Sequence, residues 1–580
     1  MRNNLLIFII LLLTCSLSMA QSHNEEVTVE GSYTPHIKKS ERLTQTPDTP
    51  KHEFNIPHYE VNTEDFFYSY KIESEPISPI QYKQNGGYDI TNNFIKLGLG
   101  TRLSPDLIFR HYSDITRRMS LGLGITHNST WLGMKDYDNA KYMNNAFKLS
   151  TTNRFSGFQL HSYINYHYDT YHLNYDGDYD YDYDYDNDSD NDNDNDNDND
   201  YDYDGDANTR REIHSLNVKL LANNNQTSYK SLYNEFLLDY SYTGIRGGIQ
   251  ENLAKFKAHL EHSNSWFRKN NGVQTLSADI EADINNISQT LFLISANPYL
   301  AFDGEYYNLH LGFRVDAKTN TASMGGIYPD IKGSLYLFER NFEVYAGLGG
   351  KTKINTLKEI LTENPFIISD MTKFGEFDYE KTKIDFQGGL NFKALNKISG
   401  HAGISYRKID NHVFYVSSID QVGAFDIILN NCNIFNFDFD LIYNIREDIK
   451  IAASFAFNKY DMIYEESNDS LIDANEEIVN QKAWYKPETE FMLKGIYSMN
   501  DNWDFNIAAY VEGKRYALIG YETTEKLKPA CDIQLGCDYN LNDELSFYAE
   551  IKNLIHNKYQ MYYGYPSYGF QAFLGFKYRF

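Results

Sequence analysis

The chain has 580 residues, enough for several ordinary domains, but its composition favours many strands joined by tight turns. It contains 49 Tyr, 36 Phe and 4 Trp against only 13 Pro. After residue 20 there is no apolar run of about 18 residues, which excludes a helical membrane protein. The net charge of −27 excludes a nucleic-acid binder that works through a general basic field.

The first twenty residues predict a secretory signal peptide, 1–20. Arg2 supplies the positive charge, residues 5–13 are uniformly apolar, and residues 18–20 form a small-x-small cleavage site. A lipoprotein signal at Cys15 is less favoured because the preceding Thr14 fits a lipobox poorly. A retained membrane anchor is also less favoured, since the apolar stretch is too short to span a bilayer comfortably.

The segment 21–91 differs from the rest of the chain. It has no sustained periodicity and is rich in proline, with Pro35, Pro47, Pro50, Pro57, Pro76 and Pro79. We interpret it as a periplasmic, plug-like N-terminal segment that can enter the lumen of the barrel inferred below. A disordered leader is the alternative.

From residue 92 onward the dominant pattern has a period of two. In the closing segment the even positions from Phe570 to Phe580 are apolar, whereas the odd positions are mostly polar, with Phe573 as the exception. Such alternation predicts strands that have one apolar and one polar face. The same alternation occurs at 384–393, 435–444, 503–512, 533–541 and 545–552.

The length of these segments separates a membrane barrel from a soluble sandwich. They run about 10 to 15 residues, whereas strands in soluble domains cluster near about 5 to 6 and a tilted membrane-crossing strand needs about 9 to 11. Ionised residues recur on the polar face, as in a wet lumen, and aromatic residues recur near strand ends, as in interfacial girdles. The sequence therefore predicts an all-β fold, a transmembrane antiparallel β-barrel over residues 92–580.

The connections between the strands alternate in length. Short polar turns are predicted at 339–341, 395–397, 446–448, 499–501 and 541–543, and long connections at 354–380, 417–432, 462–483 and 521–529. Outer-membrane barrels have short turns on one side and long loops on the other. The spacing predicts about 22 strands, a size at which the lumen is wide enough to need a plug.

An acidic low-complexity insert occupies residues 176–206, where Asp alternates with Tyr, Asn, Gly or Ser. No packed structure is expected, because Asp and Asn form strands poorly and neighbouring charges repel. If five strands precede it, parity places this loop outside the cell. A low-affinity Ca²⁺ or Mg²⁺ collector is one interpretation, and repeat expansion in a tolerant loop is the favoured one.

The search for site chemistry yields no catalytic, cofactor-binding or metal-binding residue, and we do not expect an enzyme. Motifs for hydrolases, zinc proteases, phosphate loops and dinucleotide binding are missing from the sequence. His161 and His167 share a strand face but lie about 20 Å apart, too far to share a metal ion, and His172 is on the other face. The cysteines after the signal, Cys432, Cys531 and Cys537, are expected to be unpaired apolar side chains.

Two parts of the chain resemble TonB-dependent outer-membrane receptors. Residues 25–32, with the sequence EEVTVEGS, resemble the start of the plug domain in that family. Residues 551–554, 557–559 and 565–566, followed by a closing strand that ends in Phe580, resemble the last two strands of the family. The resemblance implies contact with TonB near Val27 and recognition of the terminal strand by the barrel-assembly machinery.

One departure from that family stands out. Only 71 residues, 21–91, precede the first strand, whereas a receptor plug has well over a hundred. The chain therefore resembles the plug-reduced, receptor-like barrels of Bacteroidetes-type bacteria.

The preferred hypothesis is solute uptake or passage across the outer membrane of a Gram-negative bacterium, in contact with membrane lipid and lipopolysaccharide and with no nucleic acid. Parity assigns Asp438, Asp440, Lys577 and Arg579 to the polar wall of the lumen. The alternative is a barrel that does not transport and serves as a scaffold or accessory subunit of an outer-membrane complex. A passive porin is the third option. A lumen sealed by inward loops would favour the scaffold.

Overall fold

The computed structural model describes residues 92–134, 140–174, 209–224, 232–264, 273–319, 325–370, 377–394, 397–463, 481–520 and 523–580. These residues form a closed antiparallel β-barrel with a wall of 22 strands, which confirms both the predicted fold class and the predicted strand number. Each wall strand pairs with its neighbours in chain order, and the first pairs with the last to close the ring.

The elements follow one another along the chain as β1 (Asn93–Gly100), β2 (Ser104–Thr116), β3 (Met119–Thr130), β4 (Tyr142–Arg154), β5 (Phe158–His172), β6 (Arg210–Asn224), β7 (Tyr233–Ile245), β8 (Gln250–Asn264), β9 (Val273–Asn286), β10 (Thr290–Asp303), β11 (Tyr307–Lys318), β12 (Gly326–Leu337), β13 (Phe342–Ile354), α1 (Leu357–Glu363), β14 (Tyr379–Ala394), β15 (Ile398–Ser417), β16 (Phe425–Arg446), β17 (Ile449–Ile463), β18 (Thr489–Asn500), β19 (Trp503–Glu512), β20 (Arg515–Ile519), β21 (Thr523–Leu527), β22 (Ala530–Asn540), β23 (Leu545–Lys552), β24 (Gln560–Tyr562), β25 (Tyr565–Pro566) and β26 (Gln571–Arg579). The hairpins β20–β21 and β24–β25 stand outside the ring, because β19 pairs with β22 and β23 pairs with β26. In the described part of the chain, no helix is both long and apolar enough to cross a membrane.

The alternation of side chains along the strands is confirmed. On β26 the outward Leu574 is 68% exposed, whereas the inward Phe573 is 4% exposed. Successive side chains on a strand point to opposite faces, so one parity meets the surroundings and the other meets the lumen. Phe573, the apolar exception in the sequence, is on the lumen side and packs beneath the ammonium of Lys552 at 4.9 Å.

The outer face of the wall is a belt of exposed apolar side chains. It includes Leu238, Ile280, Phe313, Leu335, Phe386, Phe505 and Phe547. Soluble proteins rarely expose apolar patches of this extent, and a lipid-facing barrel surface has this composition. The belt is therefore the surface that hydrocarbon chains cover.

The barrel has two unlike ends. Asn93 and Phe580 meet at one of them, where the amide of Asn93 donates to the carbonyl of Phe580 at 2.9 Å. The turns that follow the even-numbered strands up to β18, and the turn after β22, lie at this short-turn end. The connections that follow the odd-numbered strands up to β19, and the one after β23, lie at the opposite, long-loop end. From β12 onward the predicted alternation of short and long connections is confirmed, although residues 395–396 lie outside the described ranges. It does not extend to the first half of the chain, where the connections 225–232 and 265–272 at the short-turn end are longer than 101–103 and 287–289 at the other end.

Two predictions about the connections are wrong. The predicted long connection 417–432 is only 418–424, because β15 and β16 extend to 20 and 22 residues. The connection 521–529 is part of a longer one that contains the β20–β21 hairpin. At the adjoining ends of β15 and β16 and in β20, apolar residues occupy both parities, which hides the period of two, whereas β21 is polar and mostly exposed.

Several predictions fall outside the described residues. These are the signal peptide 1–20, the N-terminal segment 21–91 with the stretch near Val27, and the whole of the acidic insert 176–206. The insert joins β5 to β6, so five strands precede it and its flanks are at the long-loop end. Its extracellular position remains a prediction.

Candidate functional site in the lumen and at the long-loop mouth

The lumen side of the wall carries charged residues that are paired across strands. Asp438 and Asp440 both lie on the lumen face of β16, as parity predicted. An oxygen of Asp438 lies 2.8 Å from Nε2 of His401 on β15, and Asp440 stands directly opposite His401 in the strand register. Both carboxylates are thus near one imidazole, whose other nitrogen, Nδ1, lies 2.7 Å from the side-chain oxygen of Asn391.

Lys577 and Arg579 lie on the same lumen face of β26. Nζ of Lys577 is 2.8 Å from a carboxylate oxygen of Asp538 on β22. The guanidinium of Arg579 lies over the ring of Phe94 at 5.9 Å. The structure therefore places all four predicted wall residues on the lumen side but in two separate groups.

A denser network lines the opposite arc of the wall. Arg314 on β11 contacts Glu281 at 3.0 Å and Asp316 at 2.8 Å. Lys257 on β8 binds the same Glu281 at 2.7 Å, and Lys255 lies 3.6 Å from Asp283. Because each charge in this network faces an opposite charge, this arc of the wall is polar and largely neutralised.

Three histidines on the lumen face share one local arrangement, in which a tyrosine ring packs on the imidazole and a carboxylate binds one of its nitrogens. The carboxylate fixes the orientation of the imidazole, and the tyrosine offers an aromatic face to the lumen. All six rings lie in the half of the wall nearer the short-turn end. The groups are Tyr233, His259 and Asp279; Tyr299, His310 and Asp330; and Tyr345, His401 and Asp438.

The long-loop mouth contains a second apolar core. We call this cluster the loop cap. It is built from connections that follow many different strands, and its fully or nearly fully buried members are Ile213, Ile245, Ile249, Ile287, Leu291, Leu293, Ile354, Leu357, Ile360, Leu361, Ile367, Phe377, Tyr379, Val413, Tyr415, Val416, Phe425, Trp484, Tyr485, Ala517, Leu518, Leu527 and Tyr562. Side chains of this size buried in loops stabilise a fixed arrangement of those loops.

Contacts within the loop cap join distant parts of the ring. Arg211, at the start of β6, donates from Nη2 to Gln421 between β15 and β16 at 3.1 Å, and from Nη1 to the carbonyl of Ile367. The hydroxyl of Tyr565, between β23 and β26, donates to the carbonyl of Gly423 at 2.5 Å. Segments from four places on the ring, namely β6 and the connections β13–β14, β15–β16 and β23–β26, therefore meet over the mouth.

Helix α1 lies in the connection between β13 and β14 and is held at both ends. Thr356 is its N-cap and accepts from the amide of Glu359 at 3.2 Å. The fully buried Glu251 on β8 accepts from the amide of Leu357 at 2.9 Å. At the other end the carbonyl of Glu363 accepts from Tyr562 at 2.7 Å. A wall carboxylate and a loop hydroxyl thus fix the helix across the mouth.

Arg515, which is 1% exposed, ties two further connections together. Its guanidinium donates to the carbonyls of Met561 at 3.1 Å and Gln560 at 2.9 Å, and lies 3.5 Å from Glu512. A buried charge needs this number of partners to be tolerated.

Aromatic rings fill the space between these loops. Phe425 packs against Tyr485 at 5.5 Å and Tyr562 at 5.3 Å, and Phe366 stacks on Tyr565 at 3.7 Å. Burial raises the pKa of Tyr485 and Tyr565 well above the ordinary value, so both hydroxyls remain protonated hydrogen-bond donors.

The remaining predicted residues are placed as follows. His161 and His167 lie on one face of β5, and His161 is 3.0 Å from the hydroxyl of Thr152. His172 ends the same strand on the other face. Cys432 is buried, and Cys531 and Cys537 are partly buried, all as free thiols. Within the described ranges no three His, Cys, Asp or Glu side chains are grouped as a metal site would require.

Sequence reasoning missed the loop cap. Its residues show no period, and their partners lie hundreds of positions away. One signal was available, because the long connections contain clustered large apolar residues, such as Phe366, Ile367 and Ile368 or Trp484 and Tyr485, that a solvated loop would not need.

The fold is similar to those of solved transport receptors. The siderophore receptor PiuA from Acinetobacter baumannii covers 86% of this chain and 82% of its own, with a TM-score of 0.57 and 11% identity. The ferric-catecholate import receptor Fiu from E. coli K12 covers 84% and 82%, with a TM-score of 0.58 and 10% identity. The copper transporter OprC also covers 84% and 82%, with a TM-score of 0.55 and 10% identity.

No family model matches the chain, and no curated protein matches its sequence. At such low identities the likeness to the solved receptors concerns the fold. It supports the barrel class that the resemblance at the two ends of the chain predicted.

Proposed function

We propose that this protein is a receptor-type barrel of the Gram-negative outer membrane that takes up a solute through its lumen and is not an enzyme. The observation that carries the proposal is the closed 22-strand wall, with an apolar belt outside and a polar, paired lumen inside, in an architecture shared with siderophore and copper receptors. A barrel of this size encloses a space far wider than its own side chains fill. Siderophores and copper, which the names of those receptors state, are therefore the first solutes to test.

Energy coupling is the second part of the proposal. Residues 25–32 resemble a TonB-contacting stretch and precede a barrel whose first strand begins at the short-turn end, beside Phe580. That end faces the periplasm in this proposal, and the acidic insert between β5 and β6 faces the medium. The terminal strand ending in Phe580 is proposed as the signal for the barrel-assembly machinery, and the short N-terminal region as a reduced plug.

The test is uptake of radiolabelled ferric chelates and copper by cells that carry the wild-type gene, a deletion, or Val27→Pro. The proposal expects uptake of at least one solute in the wild type only, because proline removes a backbone donor from the stretch that would pair with TonB. The control Ser40→Pro in the same segment keeps uptake. Equal uptake by Val27→Pro and wild type would contradict energy coupling.

The loop cap favours a second candidate, a scaffold that transports nothing. A mouth packed with buried aromatic and aliphatic side chains suits a barrel that presents a fixed surface to a partner subunit. Under this candidate, deletion changes the uptake of no solute, and a complex purified under mild detergent contains a stoichiometric partner. If the deletion strain loses uptake of a solute, the receptor candidate is supported and the scaffold candidate is excluded.

A further inference from the structure

The end of the β15–β16 hairpin has a different environment from the wall below it. Among the described residues, β14 pairs with β15 as far as Asp410, and β17 pairs with β16 from Asn431 onward. Beyond those points the described partners of residues 412–417 are residues 425–430, with single bridges to Ile519 and Ile367. We call residues 412–430 the tip hairpin. In the described part of the chain, the tip hairpin extends beyond the wall. It is stabilised by the ladder between its own two strands and by the packing of its side chains.

The tip hairpin is buried on both faces. Tyr415 and Phe425 pack into the loop cap. Phe414 packs on the other face against Ile409, Cys432 and Ile434. A hairpin covered on both sides forms the centre of the loop cap, because removing it would uncover both clusters.

A bulge joins the tip hairpin to the wall. The register shifts between Ile409 and His412, and Asn411 has a φ of 58°, a left-handed conformation that Asn tolerates better than most residues. Its side chain donates to Asp378 at 2.9 Å and to the carbonyl of Tyr379 at 3.2 Å. A bulge with one residue in this conformation concentrates the change of direction at a single point, so the hairpin can pivot there without disturbing the wall ladder.

Two side-chain hydrogen bonds tie the end of the tip hairpin to other connections. Gln421 accepts from Arg211 at 3.1 Å, and the carbonyl of Gly423 accepts from Tyr565 at 2.5 Å. These tethers come from β6 and from the connection after β23.

Other hydrogen bonds also hold the tip hairpin. The amide of Phe425 donates to the carbonyl of Phe366 at 3.0 Å, and the hydroxyl of Tyr415 donates to Glu363 at 3.2 Å. The two tethers are the part of this network that side-chain substitutions can remove without changing the buried packing.

We propose that the loop cap is the permeability barrier of this barrel and that the tip hairpin, pivoting at Asn411, is the element that opens it. The barrier part stands on the packing alone, whereas the opening part rests on the proposed function, since only a barrel that passes solute has to open.

Cys432 provides a natural reporter of the movement. Its thiol is 0% exposed and is covered by Phe414 of the tip hairpin. Lifting the hairpin uncovers it, whereas the thiols of Cys531 and Cys537 are on the outward parity of β22. Cells carrying the full chain are treated with a membrane-impermeant maleimide, and modification of the Cys432 peptide is measured by mass spectrometry.

The test variant combines Gln421→Ala with Tyr565→Phe, which removes both tethers and leaves the packing around Cys432 unchanged. We expect Cys432 to be modified about tenfold faster or more, because each lost hydrogen bond shifts an opening equilibrium several-fold. Entry of a large hydrophilic antibiotic such as vancomycin should rise in the same cells. The control Arg340→Ala removes two hydrogen bonds to Gly304 and Glu305 at the short-turn end and should behave as wild type.

A locked form completes the experiment. Ser417→Cys with Ile519→Cys, added to the double variant, joins the tip hairpin to β20 at their bridge. Oxidation should return both the labelling rate and the antibiotic entry to wild-type values. Reduction of the disulfide should raise both again to the values of the double variant. Unchanged labelling in a double variant that is folded and present at wild-type amount would overturn the gate. Faster labelling without antibiotic entry would overturn the barrier, and neither result depends on whether a specific solute is taken up.

Discussion

The wall and the loop cap of this barrel are held together in different ways. In the wall each strand is fixed by continuous ladders to both neighbours, and its exposed apolar residues face outward on one parity. In the loop cap, short pieces from many connections are fixed by buried side chains and single hydrogen bonds. Removing one large side chain should therefore loosen the loop cap. The wall should tolerate the loss of any one side chain and should be destabilised only by a charge in its lipid-facing belt.

The largest effect is expected in the loop cap. Trp484→Ala removes a fully buried indole from its core, at a local cost of about 3 to 5 kcal/mol. Limited proteolysis of the protein in liposomes should cut the connection after β17 much faster than in the wild type, while the wall stays folded in SDS at room temperature. Trp503→Ala, at the exposed start of β19, is the matched control. Loss of the whole barrel in Trp484→Ala would refute the independence of the two regions.

A charge introduced into the belt should destabilise the wall, whereas the same substitution on the loop cap should have no effect on stability. Leu238 is 53% exposed in the middle of β7, and Ile419 is 65% exposed at the tip hairpin. Leu238→Arg should lower the free energy of unfolding by about 2 to 4 kcal/mol, because an arginine near the bilayer midplane must be desolvated. Ile419→Arg should leave it unchanged. Urea unfolding in liposomes measures both, and equal effects would contradict the lipid-facing belt.

The helix in the loop cap offers a third comparison. Glu251→Ala removes the acceptor of two hydrogen bonds, one from the backbone N–H of Leu357 and one from the side-chain NH2 of Asn285. The local stability of the helix should fall by about 1 to 3 kcal/mol. Hydrogen exchange at the amides of α1 should accelerate accordingly. Thr356→Ala, which removes the N-cap, should show a smaller change of about 1 kcal/mol. Slow exchange in both variants would mean that packing alone holds α1.

The smallest effect is expected at the short-turn end. Arg446 and Asp448 form an exposed ion pair at 2.9 Å in the turn between β16 and β17. Arg446→Ala should change the free energy of unfolding by less than about 1 kcal/mol, because exposed pairs are screened by water and salt. A large loss of stability would show that this turn contributes more than its hairpin geometry requires.

These two regions also explain how far the sequence could be interpreted. The wall was predictable because a period of two is local: Phe435, Phe437 and Phe439 reveal the orientation of β16 without any knowledge of their neighbours. The count of 22 followed from the spacing of turns. Asp438, Asp440, Lys577 and Arg579 were assigned to the lumen by the same parity.

The loop cap was not predictable because its contacts join residues far apart in the chain. The side-chain NH2 of Asn174 donates to the carbonyl of Gly564, which is 390 residues away in the sequence, and no local sequence pattern predicts such a pair. Residues 417–430 of the tip hairpin were mistaken for part of a long connection, since Ile427, Ile428 and Leu429 are apolar on both parities. The Tyr–His–carboxylate groups were missed for the same reason, because each one combines residues from separate strands.

The most direct test of the account is a comparison of nitroxide spin labels placed singly at Leu238 and Ile419 in the full chain reconstituted in bilayers. Both positions are exposed and apolar, so exposure alone does not distinguish them. If hydrocarbon covers the belt, the label on the wall collides mainly with dissolved oxygen, which concentrates in hydrocarbon, and the label on the cap collides mainly with a water-soluble nickel chelate. A wall label that is accessible to the nickel chelate would show that lipid does not cover the belt.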